Sequence, residues 1–298
     1  MRVAVIGGLN VDLIAASRNA ILPGDSNPGQ VRTALGGVGR NIAENLCRLG
    51  CETALVTVLG DDDRGLRALH ACEKLGIRMD RTQILPGERT GTYLCINQPD
   101  GDVYAAVADM GIYERLIPER IAPLLPWLNT LDAVVLDANL PEPTIAWLGQ
   151  RLSVPLAADA VSTPKAVRLL PALSRLSLLK ANRPEAAILS GSDETEAAGR
   201  LLRAGAQRVF ITLGSSGVRY ADSRETGICP CFPGPVTDTT GCGDAFIAAA
   251  LWAMLRGFTL AGQARCGQAA AAICARSPAA VSPDITPENL EAVMRQTT

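Results

Sequence analysis

The sequence predicts an α/β fold, a mostly parallel central sheet with helices on both faces and a small β flap beside it. Three observations predict this. Apolar runs of strand length alternate with amphipathic stretches of helix length over most of the chain. Two segments break that rhythm with polar, turn-rich alternation, and glycine-rich turns stand where strands give way to helices. With 298 residues, 48% of them hydrophobic, the chain can bury one large core, and residues 1–298 are read as a single domain.

Taken in order, Val3 to Ile6 opens as a buried strand, followed by a helix from Val38 to Leu49, a strand from Ala54 to Leu59 and a helix from Asp63 to Leu75. A helix from Glu114 to Leu128 then leads to a strand from Ala133 to Leu136, a helix from Glu142 to Leu152, and strands from Pro155 to Ala158 and Leu176 to Leu179. The helix Thr195 to Ala204, the strand Arg208 to Leu213 and the helix Gly241 to Leu255 continue the alternation. Ala-rich helical stretches at Leu260 to Ala275 and Pro287 to Gln296 close it. The exceptions are about 15–35 and 90–108, the latter with the turn Pro99-Asp100-Gly101-Asp102. Both read as strands of a protruding sheet. Ligands of α/β sheets bind beyond the carboxyl ends of the strands, so a flap inserted there would cover the site; a plain surface hairpin is the alternative.

Composition excludes several functions. The formal charge of -2 arises from 28 basic and 30 acidic residues that are interspersed, so no basic stripe offers itself to nucleic acid. Nine cysteines, an odd number lying mostly in apolar runs, suit reduced thiols in the cytoplasm. Cys229 and Cys231 have no second pair or histidine cluster to complete a zinc site. Met1 to Gly7 reads as a strand rather than a signal peptide, and no uncharged stretch reaches membrane-spanning length. The single histidine, His70, lies in a helical stretch, which rules against Ser-His-Asp and Cys-His chemistry. A carboxylate or a lysine must then handle any catalytic proton.

The strongest motif is Asp238-Thr239-Thr240-Gly241-Cys242-Gly243-Asp244, running into an apolar helix. Glycines at a helix start leave N–H groups unpaired and outward, which makes an anion site. Asp244 can serve there as a mere cap, or as a base beside a bound phosphate. Gly36-Gly37-Val38-Gly39-Arg40-Asn41 is a second glycine-opened helix, in which Asn41 offers a donor and an acceptor to a hydroxyl or simply faces solvent. Gly7-Gly8-Leu9-Asn10-Val11-Asp12 lacks the spaced glycines of a dinucleotide site; Asp12 suits a diol instead. Lys180-Ala181-Asn182-Arg183-Pro184-Glu185 reads equally as an ordinary capped helix start and as a contact to nucleotide phosphates and hydrated Mg²⁺. Thr212-Leu213-Gly214-Ser215-Ser216-Gly217 is a strand with a glycine turn.

In this order the motifs resemble the PfkB, or ribokinase, family of carbohydrate kinases, over essentially the whole chain. The resemblance implies an ATP-dependent kinase with Mg²⁺, a small nucleoside or sugar substrate, and no nucleic-acid or membrane partner. It implies Asp244 as the base and Gly241, Cys242 and Gly243 as the anion hole. Asn10, Asp12, Gly36, Gly37 and Asn41 become sugar contacts, and Asn182, Thr212, Gly214 and Gly217 with Gly241 and Gly243 the ATP side. Glu185 would act on Mg²⁺ indirectly, while Asp238 and Thr240 look like the loop that binds a monovalent cation such as K⁺ in many relatives. Cys242 departs from the family's usual alanine, a change that spares the backbone N–H. Within the family the pattern is most similar to bacterial pseudouridine kinases, through Asp25-Ser26-Asn27-Pro28-Gly29, Asp159-Ala160-Val161-Ser162 and Lys165. Asp25, Ser26, Asn27, Asn139 and Lys165 would then read the uracil edge. Ribose or another sugar is the alternative substrate, and a non-catalytic binding protein the alternative of a different class. A flap with an exposed outer face allows a homodimer; a monomer is equally allowed.

Overall fold

The computed structural model describes residues 1–296. Its strands are β1 (Arg2–Ile6), β2 (Asn10–Ser17), β3 (Gly29–Gly36), β4 (Glu52–Val56), β5 (Val58–Gly60), β6 (Gln83–Leu85), β7 (Thr92–Asn97), β8 (Val103–Asp109), β9 (Ala133–Asp137), β10 (Leu156–Asp159), β11 (Leu176–Asn182), β12 (Val209–Thr212), β13 (Val218–Ala221) and β14 (Thr226–Cys229). The main sheet is eight-stranded, in the order β14-β13-β12-β11-β10-β9-β1-β4. From β4 to β12 neighbours run parallel, and β13 and β14 add an antiparallel edge.

Alternate side chains of each strand feed two cores. Val3, Val5, Val135 and Phe210 meet the helices Val38–Arg48, Cys242–Leu255 and Leu260–Ala275 on one face. Ala4, Ile6, Val134, Leu136 and Ile211 meet the helices Glu142–Arg151 and Glu194–Arg203 on the other. Burial on both faces is why these strands are continuous apolar runs. The Cys242–Leu255 helix is buried around most of its circumference, between the sheet and the Leu260–Ala275 helix.

Two expectations need correction. The stretch Glu114 to Leu128 is no single helix but a series of short turns, because Pro118, Pro123 and Pro126 each remove a backbone donor. The run Ala54 to Leu59 divides at Thr57, after which β5 leaves the main sheet to pair with β6. Strands β13 and β14 were not anticipated: Val218-Arg219-Tyr220-Ala221 is short and half polar, and edge pairing rather than burial makes it a strand.

A second sheet, β3-β2-β7-β8, stands beside the first. Its register sorts its side chains. Asp12 is opposite Ala34 and Tyr93, while Leu13 is opposite Thr33 and Leu94, and Ala15 is opposite Val31 and Ile96. Since successive residues face opposite ways, Asp12 and Tyr93 share one face and Leu13, Val31, Leu94 and Ile96 the other.

Candidate functional site

The parallel strands end in charge. β9 ends in Asp137 and β10 in Asp159, and these are register partners; Lys180 of β11 is the partner of Asp159. All three are buried. A row of buried charges costs stability unless each is paired or hydrogen-bonded. Asp137 is satisfied by backbone donors: its carboxylate accepts from the N–H of Gly8 at 2.8 Å, of Gly39 at 2.8 Å and of Asn139 at 2.9 Å. It thereby ties the turn after β1 to the start of the Val38–Arg48 helix, although burial still holds it above the usual carboxylate range. Gly7 must be glycine, because a Cβ there would lie 2.4 Å from Asp137 Oδ2.

Lys180 forms an ion pair with Asp159 at 3.1 Å. Burial works against its ammonium, but Asp159, Glu185 and Asp244 outweigh that penalty and hold it above the ordinary lysine value. The other oxygen of Asp159 accepts from Val161 N–H at 2.7 Å, within a turn where Val161 has φ 63°. A β-branched residue in the left-handed region costs about 1–3 kcal/mol and persists where the surroundings enforce it. Beyond this turn Lys165 Nζ reaches Asn139 Oδ1 at 2.6 Å.

Facing this row is the start of the Cys242–Leu255 helix. Gly241, at φ 79°, caps it; a Cβ there would meet Ala280 O at 1.8 Å. The Cys242 N–H turns back to Thr239 O at 3.2 Å, so the amide of Gly243 is a better outward donor than that of Cys242. Cys242 Sγ donates to Ala271 O at 3.4 Å, and the neighbouring Cys274 thiol lowers its pKa. Asp244, buried in the first turn, accepts from Asn41 Nδ2 at 2.8 Å. Burial raises its carboxyl, nearby Asp159 raises it further, and Lys180 and Asn41 only partly offset them, so its pKa is pushed up to about 7. A carboxyl poised there can accept a proton near neutrality.

Asn10, Asp12, Gly36 and Gly37 gather beside this centre. Asn10 Nδ2 donates to Asp12, and a Cβ on Gly36 would strike Asp12 Oδ2 at 2.5 Å. Gly37 holds φ 100° against the Gly8 carbonyl, where a Cβ would come within 2.4 Å. Burial raises the Asp12 carboxyl above its usual range. Asp25, Ser26 and Asn27 are not brought here. They form an exposed turn in which Asn27 bonds Leu22 and Asp25 and Ser26 N–H bonds Asp25.

On the opposite side Asn182 and Glu185 form a reciprocal cap, with both Glu185 oxygens engaged by Asn182 donors at 2.8 Å. That engagement fits a hydrated Mg²⁺ held through water better than direct ligation, and no cluster of three or more His, Cys, Asp or Glu suited to a metal occurs among the described residues. Thr212 ends β12, and Gly214 and Gly217 take φ 62° and 94° in the following turn. Asp238 accepts the Thr240 N–H at 2.8 Å, which holds its carboxyl below the ordinary value. The carbonyls of Thr240 and Ala280 accept from the Cys274 thiol at 3.6 and 3.5 Å, and each keeps a second lone pair of the kind a monovalent cation takes.

Sequence reasoning missed Asp137, named Asp159 only within a resemblance, and gave neither Asp159 nor Lys180 a role in this centre. The available signal was position: Asp137 and Asp159 close apolar strand runs at the carboxyl edge, where a charge has no packing purpose.

The pfkB family carbohydrate kinase profile matches residues 1–287. Pseudouridine kinase of Escherichia coli K12 is 32% identical, covering 97% of this chain and 95% of its own. Ribokinase of Bacillus subtilis is 28% identical over 86% of each. A carbohydrate kinase structure from Agrobacterium tumefaciens superposes with a TM-score of 0.88 at 34% identity, covering 98% of this chain and 96% of the other.

Proposed function

Because the chain belongs to the pfkB family of carbohydrate kinases, and is therefore a phosphotransferase acting on a hydroxyl, we propose that it uses ATP to phosphorylate the 5′-hydroxyl of pseudouridine, with Asp244 as the base. The observation that carries the role of Asp244 is its pairing with Asn41 in a buried helix turn that also presents the Gly243 amide. Residues 1–298 act as one catalytic unit in the cytoplasm, where the nine free cysteines stay reduced, and the β3-β2-β7-β8 sheet serves as the lid.

Asp244 accepts the hydroxyl proton as the substrate oxygen attacks the γ-phosphorus; the bond to the β-phosphate oxygen breaks and ADP leaves. The amides of Gly241 and Gly243 donate to the transferring phosphoryl oxygens, each such donor being worth about 3 kcal/mol in comparable oxyanion sites. The Cys242 amide joins them on release from Thr239. Lys180, behind Gly243, offsets charge that gathers on that phosphate. Asn10, Asp12, Gly36, Gly37 and Asn41 hold the ribosyl hydroxyls and exclude water. Asn182, Thr212, Gly214 and Gly217 line the ATP side. Glu185 would hold a hydrated Mg²⁺ through water, and the metal would supply charge neutralisation on the nucleotide phosphates. Asp238 and Thr240 are the residues that would hold a monovalent cation such as K⁺.

The likeness to the E. coli pseudouridine kinase supports the nucleoside assignment, and Asn139 with Lys165 supplies polar groups suited to a uracil edge. A ribose-type sugar is the second reading, favoured by the self-satisfied turn of Asp25, Ser26 and Asn27, which leaves fewer groups for a base. Comparing kcat/KM for pseudouridine, uridine, ribose and fructose 6-phosphate at fixed MgATP, with and without K⁺, separates the two. Pseudouridine is expected to lead. A higher value for ribose would overturn the nucleoside assignment and leave the kinase intact.

A further inference from the structure

One face of the Val38–Arg48 helix buries an unusual polar set. Arg40 is 8% exposed and Glu44 3% exposed, with Asn41 and Asn45 buried beside them. Arg40 Nη1 donates to Asn41 Oδ1 at 2.7 Å, and Arg40 Nη2 forms an ion pair with Glu44 at 3.0 Å. Glu44 is held from the other side by Arg48 at 2.6 Å. Asp12 of β2 and Cys72 of the Asp63–Lys74 helix also face the guanidinium. The Asn41 amide links this chain of charges to Asp244.

A guanidinium has donors and no acceptor, so it can meet only the oxygen of an amide. With Oδ1 held by Arg40, Asn41 must present Nδ2 to Asp244. An amide N–H donates well to a carboxylate and has nothing to accept from the O–H of a carboxylic acid. Were the amide free to flip, its oxygen would accept from the protonated acid and favour it. We propose that Arg40 is a positioning residue, which by locking the Asn41 amide favours the basic form of Asp244 against the burial that opposes it and leaves Asp244 Oδ1 to the substrate hydroxyl. This rests on the reading of Asp244 as the base. Asp137, Asp159 and Lys180 also face Asp244 and set where it titrates. Arg40 adds the orientation of its hydrogen-bond partner.

The test is kcat against pH, with MgATP and the best acceptor from the substrate comparison, for Arg40→Met, Arg40→Lys, Asn41→Ala, the Arg40→Met/Asn41→Ala pair and Asp244→Asn. Arg40→Met should move the acid limb up by about one pH unit, a loss of about tenfold at low pH that fades to about twofold on the alkaline plateau. Arg40→Lys, whose ammonium is also only a donor, should keep the wild-type limb. In the Asn41→Ala background Arg40→Met should move it no further. A loss equal at all pH values, a displaced limb in Arg40→Lys, or an undiminished shift without Asn41 would overturn the proposal. Should Arg40→Met not fold, Arg40→Lys and Asn41→Ala still decide it: a wild-type limb in the first with a raised limb in the second supports the lock, and any other pair of results overturns it. Wild-type turnover in Asp244→Asn would instead overturn the base reading itself.

Discussion

Gly243 and Lys180 stand in direct contact: a Cβ at position 243 would lie 2.6 Å from the lysine Nζ. The glycine therefore serves more than the opening of a helix. It lets a buried ammonium, paired with Asp159, sit immediately behind the turn proposed to hold the transferring phosphate. Gly243→Ala improves local helix propensity yet forces the ammonium from its place. Expected is a fall in kcat of about tenfold or more with acceptor KM within about threefold, since a displaced charge weakens phosphoryl transfer more than sugar binding. Adding Lys180→Met should cost little further, because both changes remove one interaction. Fully additive losses would show that Lys180 and Gly243 act separately.

The burial of Asp244 makes a stability prediction of definite sign. Its carboxyl is raised from 3.8 to about 7 by burial and by Asp159. The fold thus favours the protonated form, so the stability tied to this group is complete below about pH 4 and is lost as pH rises through about 7. Asp244→Asn mimics the neutral form. Its melting temperature should exceed that of the wild type at pH 8, and the difference should shrink steadily toward pH 4, while kcat falls by about a hundredfold or more. Thermal scans across that pH range test this. A variant less stable than the wild type at pH 8 would mean that the carboxylate is structural.

What the sequence discloses and what it hides follow from physics. Gly241 and Gly243 are readable because glycines opening a helix leave amides free, and Asp244 because a carboxylate beside them needs a reason. The parallel sheet is readable because strands buried on both faces, such as Ala133–Asp137, are apolar throughout. Register is not readable, since it depends on pairing between distant segments. The row Asp137, Asp159 and Lys180 emerges only when β9, β10 and β11 are aligned. Nor does sequence disclose that the Asn27 side chain is taken up by the backbone of Leu22 and Asp25 within a local turn. Resemblance supplied Asp25, Ser26 and Asn27 as base contacts; the hydrogen bonds that Asp25 and Asn27 make lie within their own turn.

The second sheet makes the last prediction. Its register assigns Asp12 and Tyr93 to one face and Val31, Leu94, Ile96 and Val107 to the other. On that outer face Val31 is 72% exposed and Val107 63% exposed, and the register sets Leu94 and Ile96 between them as one apolar stripe. The sheet also has two open edges, β3 and β8, and β8 is exposed along its whole length. A second copy of the chain presents the same apolar face, and a two-fold pairing of lids would cover both without touching Asp12. The chain should therefore sediment as a dimer at micromolar concentration, and the Val31→Lys/Val107→Lys variant as a monomer with an unchanged melting curve for the main domain. Because Asp12 sits on β2 of this sheet, the monomer should show a raised KM for the acceptor and an unaltered KM for ATP. A wild-type chain that sediments as a monomer, or a lysine variant that stays dimeric, would rule out pairing through this face.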